Sequence, residues 1–558
     1  MSDDRSDAAP SARRSSALVG GGILLSRLAG LARESLIAAT FATGFAVDAF
    51  RAALRIPNVL QNLLGEGALS ASFIPVYARL LAEGDEEAAG RVAGAVAGLL
   101  TVVAAAFAVA GVVFARPLTS VLAPGYTGER FELTVTLVRI LTPGIGALVL
   151  SAWCLGVLNS HRRFFLSYAA PVLWNVAQIA ALVGLGSRSL TQSSLAIGLA
   201  WGALAGGFLQ LGVQLPGVRS LLGRLRPRIS LSSTEVRTVL RRFVPAVTGR
   251  GVVQVAAYVD LVLASYLAQG AVAALSYALV LYLLPISLFG MSVAAAELPE
   301  LSRSQASSDG GDGGGRLDEL LARVAFYVVP TAMGFLVVGD VVVAALFERG
   351  RFGPDDTRLV WYVLGAFSLG LVATTTSRVL QSALYARGDT RGPAKIAGAR
   401  VAVSAVLGGV LMLQLDRVAL SASGTLAVAV VGDLPAWSPL AVALRSDPDA
   451  RLRLGAVGLA LAASVGAWLE LALLRRRLPT SSGRARVGGG HGRATALSAA
   501  VAGGVALALR GWLHTLPALL GLPVVVLAVG AVYLVTALQL GVPEARALVG
   551  MVRRRPSR

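Results

Sequence analysis

Apolar residues in this chain come in long stretches separated by short polar segments. A helix of about 20 apolar residues crosses the hydrocarbon core of a bilayer, and about fourteen such stretches can be placed here. They lie near 18–40, 45–64, 90–115, 132–158, 168–186, 192–216, 243–268, 271–298, 322–347, 358–384, 394–415, 452–475, 494–513 and 516–541. The short alternating strands of a membrane β-barrel are not seen in this pattern. The chain is therefore predicted to be an all-α polytopic membrane protein.

The composition supports that prediction and excludes other classes. The chain is 55% hydrophobic and 15% charged, whereas soluble domains carry roughly 25% charged residues. A net charge of +19 would suggest nucleic acid in a soluble protein, but here the arginines lie between apolar stretches and orient the chain. The lone Cys154 allows no intramolecular disulfide, and the three histidines are scattered, so neither a metal site nor a cofactor is predicted.

The loops predict the topology. With fourteen spans, every arginine-rich connection falls on one side, which is the cytoplasmic side by the positive-inside rule. Both termini are then cytoplasmic. Glycine and serine at 304–315 predict a flexible linker between two helical lobes. Residues 416–450, with three prolines, predict an irregular excursion on the periplasmic side. The Pro75–Arg79 and Pro299–Arg303 pairs hint at an internal duplication.

A stripe of polar residues marks the first two predicted spans. Ionisable residues in a span cost several kcal/mol unless they face a bundle interior or a wet cavity. The first span holds Arg27, Arg33 and Glu34. The second has polar residues three or four apart, which places them on one helix face. They are Asp48, Arg51, Arg55, Asn58, Asn62 and Glu66.

Two interpretations of this stripe stay open on the residues alone. One is a seam of ion pairs between helices, such as Arg27 with Glu34 or Asp48 with Arg51. The other is a hydrated cationic cavity, because arginine presents a planar fork that binds phosphate oxygens in pairs. Prolines and glycines favour a bend at such places, so Pro57, Gly65 and Gly67 are predicted hinge residues.

Other charges in the spans have simpler predicted roles. Asp260 needs a partner on another helix, because Arg250 lies too far along the same one. Arg378 and Arg400 lie near span ends, where their side chains can snorkel to the interface. Glu470 is expected to pair with the arginines at 475–477.

Several motifs carry a family resemblance. They stand at 26–34, 48–50, 55–58, 66–70, 73–75, 346–352 and 388–391. With these motifs the chain resembles the MurJ (MviN) family of lipid II flippases, within the multidrug/oligosaccharidyl-lipid/polysaccharide exporter superfamily. The resemblance implies fourteen helices in two pseudo-symmetric lobes around a central cationic cavity, a C-terminal helix pair that holds the lipid tail, and alternating access. It also implies functional roles for Arg27, Arg33, Asp48 and Glu66.

The loops and the resemblance together predict seven regions. These are the cytoplasmic N-terminal tail 1–17, the N-lobe 18–218, the basic linker 219–242, the C-lobe 243–476 with its insertion 416–450, the cytoplasmic loop 477–493, the final helix pair 494–541 and the basic cytoplasmic tail 542–558.

The second lobe departs from the family pattern. An acidic or amide residue and an arginine commonly follow Tyr277-Ala278 in the family, but Leu279 and Val280 stand here, and Leu283 replaces an expected acid. Arg250 is the predicted substitute for the missing arginine. Asp260 is a candidate sodium ligand, although Gly408 stands where an amide partner is expected.

The leading function hypothesis is translocation of lipid II, an undecaprenyl-pyrophosphate-linked precursor, from the cytoplasmic to the periplasmic leaflet. The predicted binding residues are Arg27, Arg33, Asp48, Arg51, Arg55, Glu66 and Arg250. The alternative is an exporter of another polyprenyl-linked glycan or a related multidrug-type exporter. No nucleophile motif supports an enzyme. We expect a monomer in the bacterial inner membrane that binds lipids and no nucleic acid, contacts cell-wall synthesis proteins, and is coupled to membrane potential or a monovalent ion.

Overall fold

The computed structural model describes residues 8–186, 189–222, 233–291, 313–420, 428–446, 452–478 and 491–553. Residues 304–312 of the predicted linker and the Pro299–Arg303 half of the duplication signal lie outside these residues, whereas residues 313–315, the end of that linker, are helical. The chain divides into two compact units, Met1–Tyr266 and Leu267–Arg558.

In the residues that the structure describes, the first unit contains ten helices. They are α1 (Ala8–Phe41), α2 (Phe45–Leu64), α3 (Glu66–Ala82), α4 (Glu86–Val113), α5 (Ala115–Leu122), α6 (Gly128–Leu141), α7 (Gly144–Ser160), α8 (Phe164–Gly186), α9 (Gln192–Leu222) and α10 (Thr234–Ser265).

Small residues allow the helices of the first unit to pack closely. α8 lies against both α1 and α9. A Cβ atom added at Gly206 of α9 would lie 2.9 Å from the Cα of Trp174 on α8. Helices in lipid associate through such close backbone approach rather than through a hydrophobic driving force. A second apolar cluster, around Phe73, Tyr77 and Trp153, joins α3, α4 and α7.

The described residues of the second unit form ten further helices, a π-helical turn and two strands. They are α11 (Ala271–Pro285), the π turn Ile286–Met291, α12 (Gly313–Phe347), α13 (Pro354–Ser368), α14 (Leu371–Ala386), α15 (Arg391–Leu415), β1 (Val418–Leu420), β2 (Val428–Val430), α16 (Val442–Arg445), α17 (Gly455–Arg477), α18 (Gly492–Leu513), α19 (Ala518–Gln539) and α20 (Pro543–Arg553).

The second unit has two packing centres. α15 and α17 form one pair, where a Cβ atom at Gly458 would lie 2.8 Å from the carbonyl oxygen of Leu411. The last long helices, α18 and α19, pack on each other and on α12. The predicted excursion 416–450 includes a short antiparallel hairpin in which Val418 pairs with Val430.

The helical, multi-pass class is confirmed, whereas the count of fourteen spans is not. In the described part of the chain, nine helices are long and apolar enough to cross a membrane, or eleven if each of two bent pairs is one span. The grouping of α10 also differs from the expected one. The sequence analysis placed residues from 243 onward in the second lobe, but α10 packs against α3 and α2 and belongs to the first unit.

Candidate functional site

Glu34 is the centre of the polar cluster in the first unit. Its side chain is 5% exposed on α1 and accepts hydrogen bonds from the guanidinium groups of Arg33 and Arg51. Arg51 reaches it from α2 with both terminal nitrogens, one of them 3.2 Å from Glu34 Oε1. A two-nitrogen contact between a guanidinium and a carboxylate fixes orientation as well as charge. The first two long helices are therefore joined through one buried carboxylate.

Arg33 is held on a second side by an aromatic ring. Its guanidinium carbon lies 4.7 Å from the centre of the Trp174 ring on α8. A cation over an aromatic face is attracted to the ring quadrupole. Because α1 packs along α8, the arginine is confined between a carboxylate and an indole. Arg33 Nε is buried and has no hydrogen-bond partner among the described residues.

Asp48 pairs with an arginine that the sequence analysis missed. Its carboxylate is fully buried and lies 2.8 Å from Arg130 Nη2 at the start of α6. The Arg130 guanidinium stacks on Tyr126 at 3.6 Å, and the Tyr126 hydroxyl donates to the Asp48 carbonyl at 3.3 Å. Burial raises the pKa of Tyr126 above its ordinary value, so this phenol stays a hydrogen-bond donor. The sequence signal for this arginine was its position next to Glu129 and four residues after Tyr126.

Arg55 and Asp260 face each other across α2 and α10. The Asp260 carboxylate interacts electrostatically with the Arg55 guanidinium, so Asp260 has the partner on another helix that was predicted for it. Arg55 Nε is buried, with no hydrogen-bond partner in the described part of the chain. A guanidinium near Asp260 opposes binding of a cation there, which weakens the sodium-ligand prediction for this residue.

The remaining predicted site residues have less defined surroundings. Arg27 is exposed on α1 and has an interaction partner. The side chains of Glu66 and Arg250 lie outside the described residues, although their backbones lie in α3 and α10. Because α10 belongs to the first unit, Arg250 is not on the second unit's helices, where the predicted substitute was needed.

The predicted hinge residues differ in their backbone. α2 runs without interruption through Pro57, which is buried within it. The helix ends at Leu64, and α3 begins at Glu66, so the break falls at Gly65. Gly67 lies in the first turn of α3.

The cluster thus has more guanidiniums than carboxylates. Arg33, Arg51, Arg55 and Arg130 stand with Glu34, Asp48 and Asp260 among the residues whose side chains are described. Ion pairs between helices, the first interpretation of the stripe, are seen at Glu34 and at Asp48. The hydrated cationic cavity, the second interpretation, stays a prediction. Such a cluster suits an anionic group with several oxygens.

The second unit has its own buried charge network. Glu470 on α17 is 3% exposed and accepts hydrogen bonds from Arg400 Nη1 at 2.6 Å and from Gln381 Nε2 at 2.7 Å. The expected pairing of Glu470 with the arginines at 475–477 was therefore wrong, because α15 brings Arg400 alongside α17. Arg400 is a partner in this network rather than a residue that only snorkels.

The leucines that replace the family's charged residues are partly exposed on α11. Leu279 is 37% exposed and Leu283 is 52% exposed. One turn from Leu279, the Tyr282 hydroxyl donates to Thr374 Oγ1 at 2.8 Å, and Arg378 and Arg400 lie within electrostatic range of that tyrosine. Arginines from α14 and α15 therefore stand near α11, the helix that lacks the arginine expected from the family pattern.

A multi-pass helical bundle with arginines and carboxylates buried between its spans defines an integral membrane transporter. The fold agrees. A solved structure titled "Lipid II flippase MurJ, inward closed conformation" matches 93% of this chain and 98% of its own length, with a TM-score of 0.72 and 20% identity. A multidrug resistance MATE family transporter of the MOP superfamily, in an inward-facing conformation, matches 81% of the chain with a TM-score of 0.59 and 16% identity.

The family model described as "Lipid II flippase MurJ" matches residues 37–438, and the chain belongs to this family. A probable lipid II flippase MurJ of Rhizobium tropici is 35% identical over 396 residues, covering 70% of this chain and 73% of that protein. The lipid II flippase MurJ of Burkholderia cenocepacia is 35% identical over 386 residues, covering 68% and 74%. Membership and the apolar helices together place the chain in the bacterial inner membrane as a multi-pass protein.

Proposed function

We propose that this chain moves lipid II from the cytoplasmic to the periplasmic leaflet of the inner membrane. The observation that carries the proposal is the buried cluster in which Glu34 holds Arg33 and Arg51, within a chain of the MurJ family. A lipid-linked pyrophosphate is an anion with many oxygens, and arginine forks match that geometry.

In this proposal Glu34 and the substrate share the same guanidiniums. With no substrate bound, Glu34 offsets part of the charge of the two arginines inside the bundle, where an isolated charge is costly. The pyrophosphate then draws hydrogen bonds from Arg33 and Arg51, and Arg55 supplies further donors. The ion pairs prevent the arginines from turning away, so substrate binding orders few side chains.

Transport needs no covalent step, and no residue is assigned as a catalyst. The substrate's polyprenyl tail stays in the lipid, and membrane potential or a monovalent ion resets the protein. No cofactor is assigned. The arginine-rich loops favour cytoplasmic termini. We propose a monomer that contacts cell-wall synthesis proteins and binds no nucleic acid.

Arg378 and Arg400 are proposed as the cations of the second unit. Both arginines lie within electrostatic range of Tyr282. Tyr282 belongs to α11, the helix that lacks the arginine expected from the family pattern. Arg250 stays a prediction for the same role. The departure at Leu279 and Leu283 keeps a second candidate substrate, another polyprenyl-linked glycan.

The test is complementation of a strain depleted of its lipid II flippase, combined with an assay for lipid II exposed on the outer leaflet. We expect the wild-type chain to restore growth and exposure. Arg55→Gln should lose both at equal protein level, because the neutral amide cannot bind a phosphate as a fork.

Arg91→Gln is the matched control. Arg91 has the same side chain in a solvent-exposed ion pair with Glu87 and should retain full activity. Good expression of the wild type without lipid II exposure would refute the proposed substrate and favour another polyprenyl-linked glycan.

A further inference from the structure

A cavity of about 540 Å³ lies within the second unit. It is bounded by α12, α13 and the α18–α19 pair, and its lining includes Asp340, Glu348, Arg358, Trp361, Arg510 and His514. Binding cavities for small molecules fall in the range of about 300–1,000 Å³. We call it the α12–α18 cavity.

The wall formed by the end of α18 is fixed by contacts among four residues. Arg510 Nη2 lies 2.8 Å from Asp340 Oδ2, and its guanidinium stacks on Trp361 at 4.4 Å. His514 Nε2 lies 3.3 Å from the same carboxylate oxygen. These contacts join α18 to α12 and α13 and hold the cavity in shape.

The lining also contains carboxylates and a guanidinium whose hydrogen-bonding capacity is only partly used by contacts within the protein. Asp340 Oδ1 is buried and has no hydrogen-bond partner among the described residues. Glu348 accepts one hydrogen bond, from Thr357 at 2.7 Å. Arg358 makes a long contact of 3.4 Å with Asp355 and is 39% exposed. A buried acceptor without a donor costs about 1–3 kcal/mol, so a ligand that brings N–H donors is favoured.

The position of the cavity points to an amphiphile. It lies where α12 and α18 end and where α13 and α19 begin, the level at which spans leave the hydrocarbon. Beside the lining residues Leu513 and Ala518, the side chains of Trp512, Leu519 and Leu520 are exposed. Exposed tryptophan at the end of a span is typical of the membrane interface. A head group in the cavity would have its acyl chains along this apolar surface.

We propose that the α12–α18 cavity binds the head group of a membrane phospholipid that carries a primary ammonium and a phosphate. The ammonium donates to Asp340 and Glu348, and Arg358 binds the phosphate. The two carboxylates of the lining are matched by the guanidiniums of Arg358 and Arg510, so a zwitterionic head group keeps the charge balanced. A head group that is only anionic brings no donors for the carboxylates. A quaternary ammonium lacks the N–H donors that the carboxylates need. The inference concerns lipid binding in the second unit and does not depend on what the protein transports.

The test uses the purified full chain in detergent with added phospholipids of matched acyl chains. We expect phosphatidylethanolamine to raise Tm by about 3 °C or more above the value in phosphatidylcholine or phosphatidylglycerol. Native mass spectrometry should show ethanolamine lipid retained at collision energies that remove choline lipid.

Two variants and one control locate the effect. Glu348→Gln and Arg358→Gln should each lose most of the ethanolamine-specific shift in Tm. Arg351→Gln, on an exposed loop residue outside the lining, should keep it. Because each variant is compared with itself in choline lipid, a general loss of stability is separated from a loss of binding.

Three outcomes would overturn the inference. Equal shifts from the three lipids would mean contact that ignores the head group. Retention of the full shift by both cavity variants would place the lipid elsewhere. A full shift with soluble phosphoethanolamine alone would exclude the membrane lipid as the source of the ligand.

Discussion

Glu34 illustrates at the scale of one residue how this protein keeps charge inside a membrane. A carboxylate alone in a span would cost several kcal/mol, and two guanidiniums alone would cost more. Together they form a compact group in which Glu34 offsets part of the charge of both guanidiniums, and a net positive charge remains. Removing one member of such a buried set costs about 3–5 kcal/mol, because the others are left unpaired. This ion-pair group therefore has two roles: it stabilises the packing of the helices, and its guanidiniums can bind an anion.

Asp416 is a buried carboxylate of the second unit, at the end of α15, where the chain leaves the span. Its side chain is 3% exposed. Burial raises its pKa from 3.8 to about 6, against the opposing effects of the Ala268 backbone N–H and the arginines at 453, 445 and 417. The folded protein thus holds this proton more tightly than the unfolded chain does.

This shift predicts a pH dependence of stability. Because the folded pKa lies above the unfolded one, the stabilising contribution of protonated Asp416 is fully present below about pH 4 and is lost as pH rises through 6. The loss corresponds to about 3 kcal/mol. Asp416→Asn, which keeps an acceptor for Ala268, should remove this component, so that Tm falls less between pH 4 and 7 than in the wild type.

Asp433→Asn is the control for that measurement, since Asp433 is an exposed carboxylate of the same excursion. Its profile of Tm against pH should follow the wild type. If Asp416→Asn also followed the wild type, the buried carboxylate would not be the titrating group.

Single residues were predictable where one helix carries the pattern. The stripe on α2 followed from spacing alone, because side chains three or four apart share a face. Its partners were not predictable in the same way. Arg130 and Trp174 come from α6 and α8, and no spacing within one helix relates them to Asp48 or Arg33.

At the scale of elements, the break between α2 and α3 is the feature most open to test. A Cβ atom at Gly65 would lie 2.3 Å from the Gln61 carbonyl oxygen and 3.1 Å from Ala152 Cβ. Backbone must move to relieve such a contact. We expect Gly65→Ala to lower stability by about 1–3 kcal/mol and to lose complementation in the flippase-depleted strain.

Gly90→Ala tests whether the effect is specific to this break. Gly90 lies in α4, with no atom within 4 Å of an added Cβ, so the substitution should be neutral or stabilise by up to about 1 kcal/mol. Unchanged Tm and full growth with Gly65→Ala would show that the break tolerates a side chain.

The break also shows where element prediction reaches its limit. Proline disfavours the helix interior because it lacks a backbone N–H, and the sequence offered both Pro57 and Gly65 as bends. The helix continues through Pro57 and stops at Gly65. Packing against neighbouring helices determines which of the two positions interrupts the helix. Likewise, prolines predicted an irregular excursion at 416–450, but the pairing of Val418 with Val430 needed the structure.

For the whole molecule, hydropathy was sufficient for the class and insufficient for the grouping of helices. Apolar length fixes whether a helix can span, so the multi-pass fold followed directly. Which unit a helix joins depends on tertiary contacts. α10 follows a long basic connection and was placed in the second lobe, yet its contacts are with α3 and α2.

The sidedness of the chain is the last prediction, and its single cysteine makes it measurable. Cys154 is fully buried in the core of α7, so the wild type should not react with a membrane-impermeant thiol reagent. Cysteines introduced at exposed positions on opposite sides of the predicted topology then report orientation. Asp433→Cys marks the excursion after α15. Ser220→Cys lies in the last turn of α9 and marks the start of the basic connection.

In intact spheroplasts, we expect the reagent to label Asp433→Cys and to label Ser220→Cys only after the inner membrane is disrupted. The physical reason is the arginine excess of the connection after α9, which the positive-inside rule retains in the cytoplasm. If Ser220→Cys were labelled in intact spheroplasts and Asp433→Cys were protected, the chain would have the opposite orientation to the predicted one. The α12–α18 cavity would then face the cytoplasmic leaflet, and both termini would be periplasmic.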